Sequence, residues 1–225
     1  MASTIPDNDI RHLLGLHPSD SQLKAYISSF SLLANKPEGA TPEVKSYSDA
    51  VYFNYFSLGI SLLFIPTDRY KPATGLKLHE LQDQHLVLDS IDIYNISKPK
   101  APVSKATSTR SSELAFTTFP LLPFVLKISL DMIDKEGKPL ERPPQLDVLA
   151  DTSGKDFVNA LGEPDRKGGG AGPSSGSIGI WCEWSKDGIM VEFGGDEAKG
   201  PQAWERGKDA IWKTITIFPP GSRDA

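Results

Sequence analysis

Apolar and polar residues alternate along two stretches of the chain, and this pattern predicts two β-hairpins. In each hairpin, the strands are joined by four residues that end in glycine, at Gly59 and at Gly188. Such a connection commonly needs a positive φ, which glycine adopts without steric cost. The predicted hairpin strands are 51–55, 60–64, 180–184 and 189–193, and isoleucine-rich strands follow at 88–94 and 212–218.

Alternation also divides each predicted sheet into two faces. The apolar face is expected to form the core. Its members are Val51, Phe53, Tyr55, Ile60, Leu62, Phe64, Ile91 and Ile93, with Ile180, Cys182, Trp184, Ile189, Val191, Phe193, Ile215 and Ile217 in the second half.

The opposite face mixes aromatic and apolar side chains with carboxylates, which favours a recognition surface over a purely solvated one. Its members are Tyr52, Asn54, Ser61, Leu63, Ser90 and Asp92, with Trp181, Glu183, Met190, Glu192, Thr214 and Thr216 in the second half. The alternative is that the two halves close against each other on this face, or that loops cover it.

The two hairpins recur at a constant spacing, which predicts an internal repeat. Tyr52 and Trp181 are 129 residues apart, and so are Gly59 and Gly188. The isoleucine-rich strands recur at a spacing of 124 residues, so the second copy is five residues shorter between these blocks.

A helix is predicted ahead of each hairpin. Ser19 and Gln22 form a candidate capping box for the first helix. Ser153 and Asp156 open a second, shorter helix, which Gly162 ends. The apolar positions expected to be buried are Leu23, Tyr26, Ile27 and Phe30 in the first helix and Phe157, Ala160 and Leu161 in the second.

These elements predict an α+β fold of two tandem helix-plus-antiparallel-sheet repeats, which could form one continuous sheet. The predicted divisions are a first repeat at 1–98, a linker and junction segment at 99–146, and a second repeat at 147–225. The segments 97–112 and 131–145 are rich in proline and polar residues and are expected to be loops.

This order of elements resembles the tandem repeat of the beta-lactamase inhibitory protein group and of its outer-membrane assembly lipoprotein relatives. The local similarity is the segment from Phe157 to Pro164, followed by Trp181-Cys182-Glu183-Trp184 and Gly188-Ile189. The resemblance implies a protein-binding role through a concave sheet face. The sequence departs from that family because it has no export signal, no cysteine pair and no lipid-attachment cysteine near its start.

Composition and charge argue against several classes of function. A net charge of −5 and a pI near 5.4 argue against binding to nucleic acid or to an anionic membrane surface. No stretch approaches the roughly 18 consecutive apolar residues of a membrane span. The single cysteine, Cys182, has no partner for an internal disulfide, and the first residues do not form a leader, so a cytoplasmic location is expected.

Several motifs could carry chemistry, but their contexts argue against it. The serine motif at 172–176 matches a nucleophile elbow but follows a glycine-rich loop instead of a strand. The basic stretch at 166–170 lacks the order of a phosphate loop and is expected to be a mobile loop. The four histidines show no zinc-ligand spacing, Cys182 is expected to be a buried structural thiol, and no cofactor or metal is predicted.

Asp92, Glu183 and Glu192 are the remaining candidates for catalysis. If Trp184 pairs with Ile189, the two glutamates become diagonal neighbours on one face, with roughly 5.5–8 Å between their backbones. Such a pair could serve a carboxylate-dependent hydrolase, or it could be two solvated carboxylates.

The sequence favours a non-catalytic protein that holds a protein or peptide partner on the mixed face. The aromatic anchors would be Tyr52, Trp181 and Trp204, with Glu183 and Glu192 supplying charge selectivity. Asn54 and Asp92 complete the predicted binding set. The competing hypothesis is a small-molecule-binding protein or hydrolase with its site between the repeats.

Overall fold

The computed structural model describes residues 9–96, 115–131, 137–170 and 179–223. The fold is α+β, as predicted, with a large antiparallel sheet and a small two-stranded one. The helices are α1 Ser21–Leu33, α2 Gly154–Leu161 and α3 Ala203–Arg206. The strands are β1 Glu43–Ser46, β2 Val51–Tyr55, β3 Ile60–Pro66, β4 Leu86–Tyr94, β5 Phe124–Lys127, β6 Gln145–Val148, β7 Arg166–Gly168, β8 Trp181–Trp184, β9 Ile189–Phe193 and β10 Trp212–Ile217.

The strands of the large sheet follow the order β1-β2-β3-β4-β10-β9-β8-β7, and β5 pairs with β6. The chain divides into two compact units. Unit 1 comprises Met1–Leu121 and Thr216–Pro219, and unit 2 comprises Leu122–Ile215 and Pro220–Ala225. Strand β10 therefore supplies residues to both units.

In unit 1, β2 and β3 form the predicted hairpin, in which Tyr55 is paired with Ile60. Gly59 has a φ of 64°, as the turn requires. A bulge between Leu63 and Phe64 shifts the register of β3 against β4. All eight residues predicted for the core face of this unit are buried.

Helix α1 carries the expected apolar stripe but begins differently from the prediction. Leu23, Ile27 and Phe30 are buried, because the three-and-four spacing places them on one helical face, whereas Tyr26 at its margin is half-buried. The predicted capping box at Ser19 is wrong. The N-cap is Asp20, whose carboxylate accepts a hydrogen bond from the backbone N–H of His17 at 2.6 Å instead of capping the helix.

In unit 2, helix α2 begins with the predicted capping box. The carboxylate of Asp156 accepts hydrogen bonds from the backbone N–H and the hydroxyl of Ser153, at 2.8 and 2.7 Å. Gly162 ends the helix with a φ of 82°, and its carbonyl accepts the indole N–H of Trp184 at 2.9 Å. The core-face residues predicted for this half are all buried.

Two segments expected to be loops contain ordered elements. Arg166–Gly168 forms β7 and pairs with β8, which corrects the prediction of a mobile basic loop. Within 131–145, the side chain of Arg142 is only 4% exposed, although no residue there was expected to lie in the core. The serine motif at 172–176 and the whole of the predicted linker at 97–112 lie outside the described residues.

Among the helices that the structure describes, none combines the length and the apolar character needed to cross a membrane.

Candidate functional site

The mixed face of unit 1 contains a groove of about 550 Å³. Three of the predicted binding residues, Tyr52, Asn54 and Asp92, meet in it. The described residues that line it are Lys45, Tyr47, Asp49, Ala50, Tyr52, Asn54, Phe56, Ser61, Asp92, Tyr94 and Phe116. Strands β1 to β4 supply most of these residues, so the groove is built on rigid sheet backbone.

Polar side chains in the groove are held by hydrogen bonds within unit 1. The hydroxyl of Ser61 donates to the side-chain oxygen of Asn54 at 2.8 Å, across the β2–β3 pair. The hydroxyl of Thr216 donates to the carboxylate of Asp92 at 2.7 Å. Asn54 is buried, at 7% exposure, and Asp92 is half-buried.

Aromatic side chains form the walls of the groove. Tyr47 meets Tyr52 edge to face, with 6.3 Å between ring centroids. Phe116 stacks on Tyr94 at 3.9 Å and meets Phe56 edge to face at 4.6 Å. These contacts restrict the rings to defined orientations, which reduces the entropy lost when a ligand binds.

The charges around the groove favour a cationic ligand. Burial raises the pKa of the Tyr52 hydroxyl, and the negative charges of Asp92 and Asp49 raise it further. The negative potential of these two carboxylates disfavours the ionised form of the Tyr52 hydroxyl. For the same reason it favours a positively charged ligand group beside that hydroxyl. Among the described residues of the lining, Lys45 is the one cation, and its ammonium group lies 3.8 Å from the carboxylate of Glu43.

In unit 2, the predicted register of β8 and β9 is confirmed. Trp184 pairs with Ile189, Glu183 with Met190 and Trp181 with Glu192. The expectation that the two glutamates form an open pair is wrong, because the Glu183 side chain is only 4% exposed.

Each of these glutamates already has a cationic partner. Glu183 accepts hydrogen bonds from Arg166 and Arg223, both at 3.3 Å, and from the Ser185 hydroxyl at 2.9 Å. Glu192 lies 3.1 Å from the ammonium group of Lys213. Two carboxylates neutralised in this way have the contacts of structural ion pairs, which do not favour paired acid and base catalysis.

The two predicted tryptophan anchors occupy different surroundings in unit 2. Trp181 is half-buried on β8, and a Cβ on Gly168 of the neighbouring strand would collide with its ring at 2.7 Å. Trp204 is 43% exposed and lies in the short helix α3 instead of the expected loop. The ammonium group of Lys167 lies 5.6 Å from the Trp204 ring centroid.

Cys182 is buried, as predicted, and burial raises the pKa of its thiol to about 11. The thiol is therefore protonated at neutral pH, which argues against a nucleophilic role. No cluster of three or more His, Cys, Asp or Glu side chains suited to a metal ion occurs within 9–96, 115–131, 137–170 and 179–223.

Sequence reasoning placed Tyr52, Asn54, Ser61 and Asp92 on this face and missed the other seven described lining residues. Tyr94 follows Asp92 by two positions on β4, so the period of two contained a signal for it. Lys45 reaches the groove because β1 pairs it with Tyr52, and that strand was not predicted. Phe116 is brought to the groove by tertiary contacts that no local pattern reveals.

Comparisons with protein-family models, with curated proteins and with solved structures gave no match.

Proposed function

We propose that this chain is a binding protein that holds a protein or peptide partner on the mixed face of unit 1, with a basic side chain of the partner in the groove. The observation that carries the proposal is the combination of aromatic walls with two carboxylates, Asp49 and Asp92, around the half-buried hydroxyl of Tyr52.

The chemistry of the groove suits lysine or arginine. A cation over an aromatic face gains about 0.5–2 kcal/mol, with the larger value where water is excluded. The groove supplies several rings within reach, and Asp92 offers a carboxylate that Thr216 already orients at 2.7 Å. The aliphatic stem of a lysine or arginine would pack against the same rings while its charged head meets the carboxylate.

The dimensions of the groove suit a side chain presented by a larger partner. Its volume of about 550 Å³ exceeds what one side chain fills, which leaves room for part of the partner's backbone. Aromatic side chains are enriched at protein interfaces because they bury a large area at little cost in side-chain entropy.

We further infer that the two units derive from copies of one helix-plus-hairpin repeat. Both hairpins turn through a short 3-10 segment and close on a left-handed glycine, with φ values of 64° at Gly59 and 65° at Gly188. A helix precedes the hairpin in each unit. This interpretation agrees with the constant spacing of 129 residues in the sequence.

The test uses peptides selected for binding. A phage-displayed library of random peptides is panned against the intact chain, and the dissociation constant of the best peptide is measured by fluorescence anisotropy. We expect an excess of lysine or arginine among selected peptides, and replacement of that residue with glutamine should abolish most of the binding.

Three variants locate the interaction. Asp92→Asn removes a charge while keeping the shape, and Tyr52→Ala removes an aromatic wall; each should weaken binding by about 2- to 30-fold. Glu38→Gln is the matched control, because Glu38 is exposed and outside the groove. Selection of peptides without basic residues, or equal affinity for Asp92→Asn and wild type, would contradict the proposal.

A further inference from the structure

Unit 2 contains a second pocket, separate from the groove, of about 260 Å³. Helix α2, strand β8 and the segment around α3 surround it. Its lining is Gly154, Lys155, Val158, Asn159, Glu163, Pro164, Lys167, Ile180, Cys182, Phe193, Trp204, Gly207 and Lys208.

The interior of this pocket is apolar. Ile180 and Phe193 are almost fully buried core residues, at 3% and 2% exposure, and their side chains form part of the wall. Cys182 adds a neutral thiol, and Val158 and Pro164 add aliphatic surface. Trp204 is among the few large apolar side chains of the described chain that remain exposed, and it borders this pocket.

The charged residues of the lining are mainly cationic. Among the described lining residues, Lys155, Lys167 and Lys208 are exposed cations, and Glu163 is the one acidic residue. Lys167 also lies over the Trp204 ring. A net positive rim above an apolar interior complements a molecule that carries a negative group on an apolar body.

We propose that this pocket binds a small organic carboxylate with an apolar body, whose carboxylate meets the lysines and whose body lies against Trp204 and Ile180. The pocket volume of about 260 Å³ lies slightly below the usual range for drug-sized ligands. We therefore expect a ligand of about a dozen non-hydrogen atoms. An ion without an apolar part would leave the apolar walls unused, and a neutral apolar molecule would gain nothing from the lysines. This site is independent of the partner binding proposed for unit 1.

The test uses 4-phenylbutyrate as the probe and the four tryptophan indole N–H signals of the 15N-labelled intact chain as the readout. The Trp204 signal is assigned from the spectrum of Trp204→Phe. We expect this signal to shift saturably with 4-phenylbutyrate. The amide 4-phenylbutyramide, which has the same shape without the charge, should bind several-fold more weakly. A double variant, Lys167→Gln/Lys208→Gln, should lose about two- to fivefold in affinity for each lysine removed.

Lys186→Gln is the matched control, because Lys186 is exposed in unit 2 but outside the pocket. The absence of a saturable shift, equal binding of acid and amide, or equal weakening by Lys186→Gln would each overturn the proposal. Binding of a phenylalanine-terminated tripeptide in the absence of phenylbutyrate binding would also overturn it, because the site would then recognise a chain terminus.

Discussion

A buried ion pair in unit 2 joins three segments that are distant in sequence. The guanidinium group of Arg142 donates to the two carboxylate oxygens of Asp187 at 2.7 and 2.9 Å. It also donates to the carbonyl oxygens of Leu161, at the end of α2, and Ser129. The two charged side chains are only 4% and 2% exposed, so removing either one leaves the other charge buried without its partner.

We expect Arg142→Met to lower the free energy of unfolding by about 3–5 kcal/mol. The double variant Arg142→Met/Asp187→Leu should recover most of that loss, because it removes both charges and keeps apolar volume. In the unit 1 hairpin, Leu58 occupies the position that corresponds to Asp187, directly before the turn glycine, and it is fully buried. An apolar side chain is therefore compatible with this position of the hairpin. Urea unfolding measures each value, and a double variant no more stable than the single one would refute this account.

At the scale of single elements, the capping contacts distinguish two helices that looked alike in sequence. Both candidate capping boxes begin with serine, at Ser19 and Ser153, but only Ser153 makes the reciprocal contacts. An N-cap substitution to alanine costs about 1 kcal/mol. Ser153→Ala should therefore lower the free energy of unfolding by about that amount, whereas Ser19→Ala should leave it nearly unchanged. Chemical denaturation at neutral pH provides the comparison, and equal effects of the two variants would show that the cap is not the cause.

The same cap predicts a pH dependence. Hydrogen bonds from Ser153 lower the pKa of Asp156 below its ordinary value of 3.8. Its contribution to stability is fully present above that ordinary value and is lost as the pH falls through the lowered pKa. The stability advantage of the wild-type chain over Asp156→Asn should thus be greatest near neutral pH and shrink in acid. An advantage that persists unchanged at low pH would point to packing instead.

Local pattern predicted the strands well because their side-chain alternation and their turn glycines are both local properties. The pairing of Glu183 with Met190 followed from the turn length alone. The burial of Glu183 could not be predicted in this way, because its partners Arg166 and Arg223 are 17 and 40 residues away in sequence. The groove was predicted only in part for the same reason: its β2 and β4 residues follow the alternation, whereas Phe116 reaches it through a tertiary contact.

The distribution of aromatic residues gives each of the two units its own absorbance signal. All six tyrosines belong to unit 1, and all four tryptophans belong to unit 2. Second-derivative absorbance in the tyrosine and tryptophan bands therefore follows each unit in the intact chain without any label.

We expect the two absorbance bands to report one thermal transition at the same midpoint. Strand β10 contributes residues to both units, so unfolding of either unit removes part of a strand that the other also uses. The measurement compares the thermal midpoint from the tyrosine band with that from the tryptophan band in the wild-type chain, and we expect the two to coincide. Two separated midpoints would show that each unit folds without the shared strand.

The division of β10 also has a consequence for the order in which the protein is made. Unit 1 is complete only with Thr216–Pro219, which the ribosome adds long after Leu121. At a synthesis rate of roughly 5–20 residues per second, about 5–20 s separate the addition of Leu121 from the addition of Thr216. During that interval Asp92 lacks the Thr216 hydroxyl that holds it in the finished groove. The groove therefore acquires its final form late in synthesis, so a nascent chain halted before Thr216 should not yet bind the basic peptide proposed as its ligand.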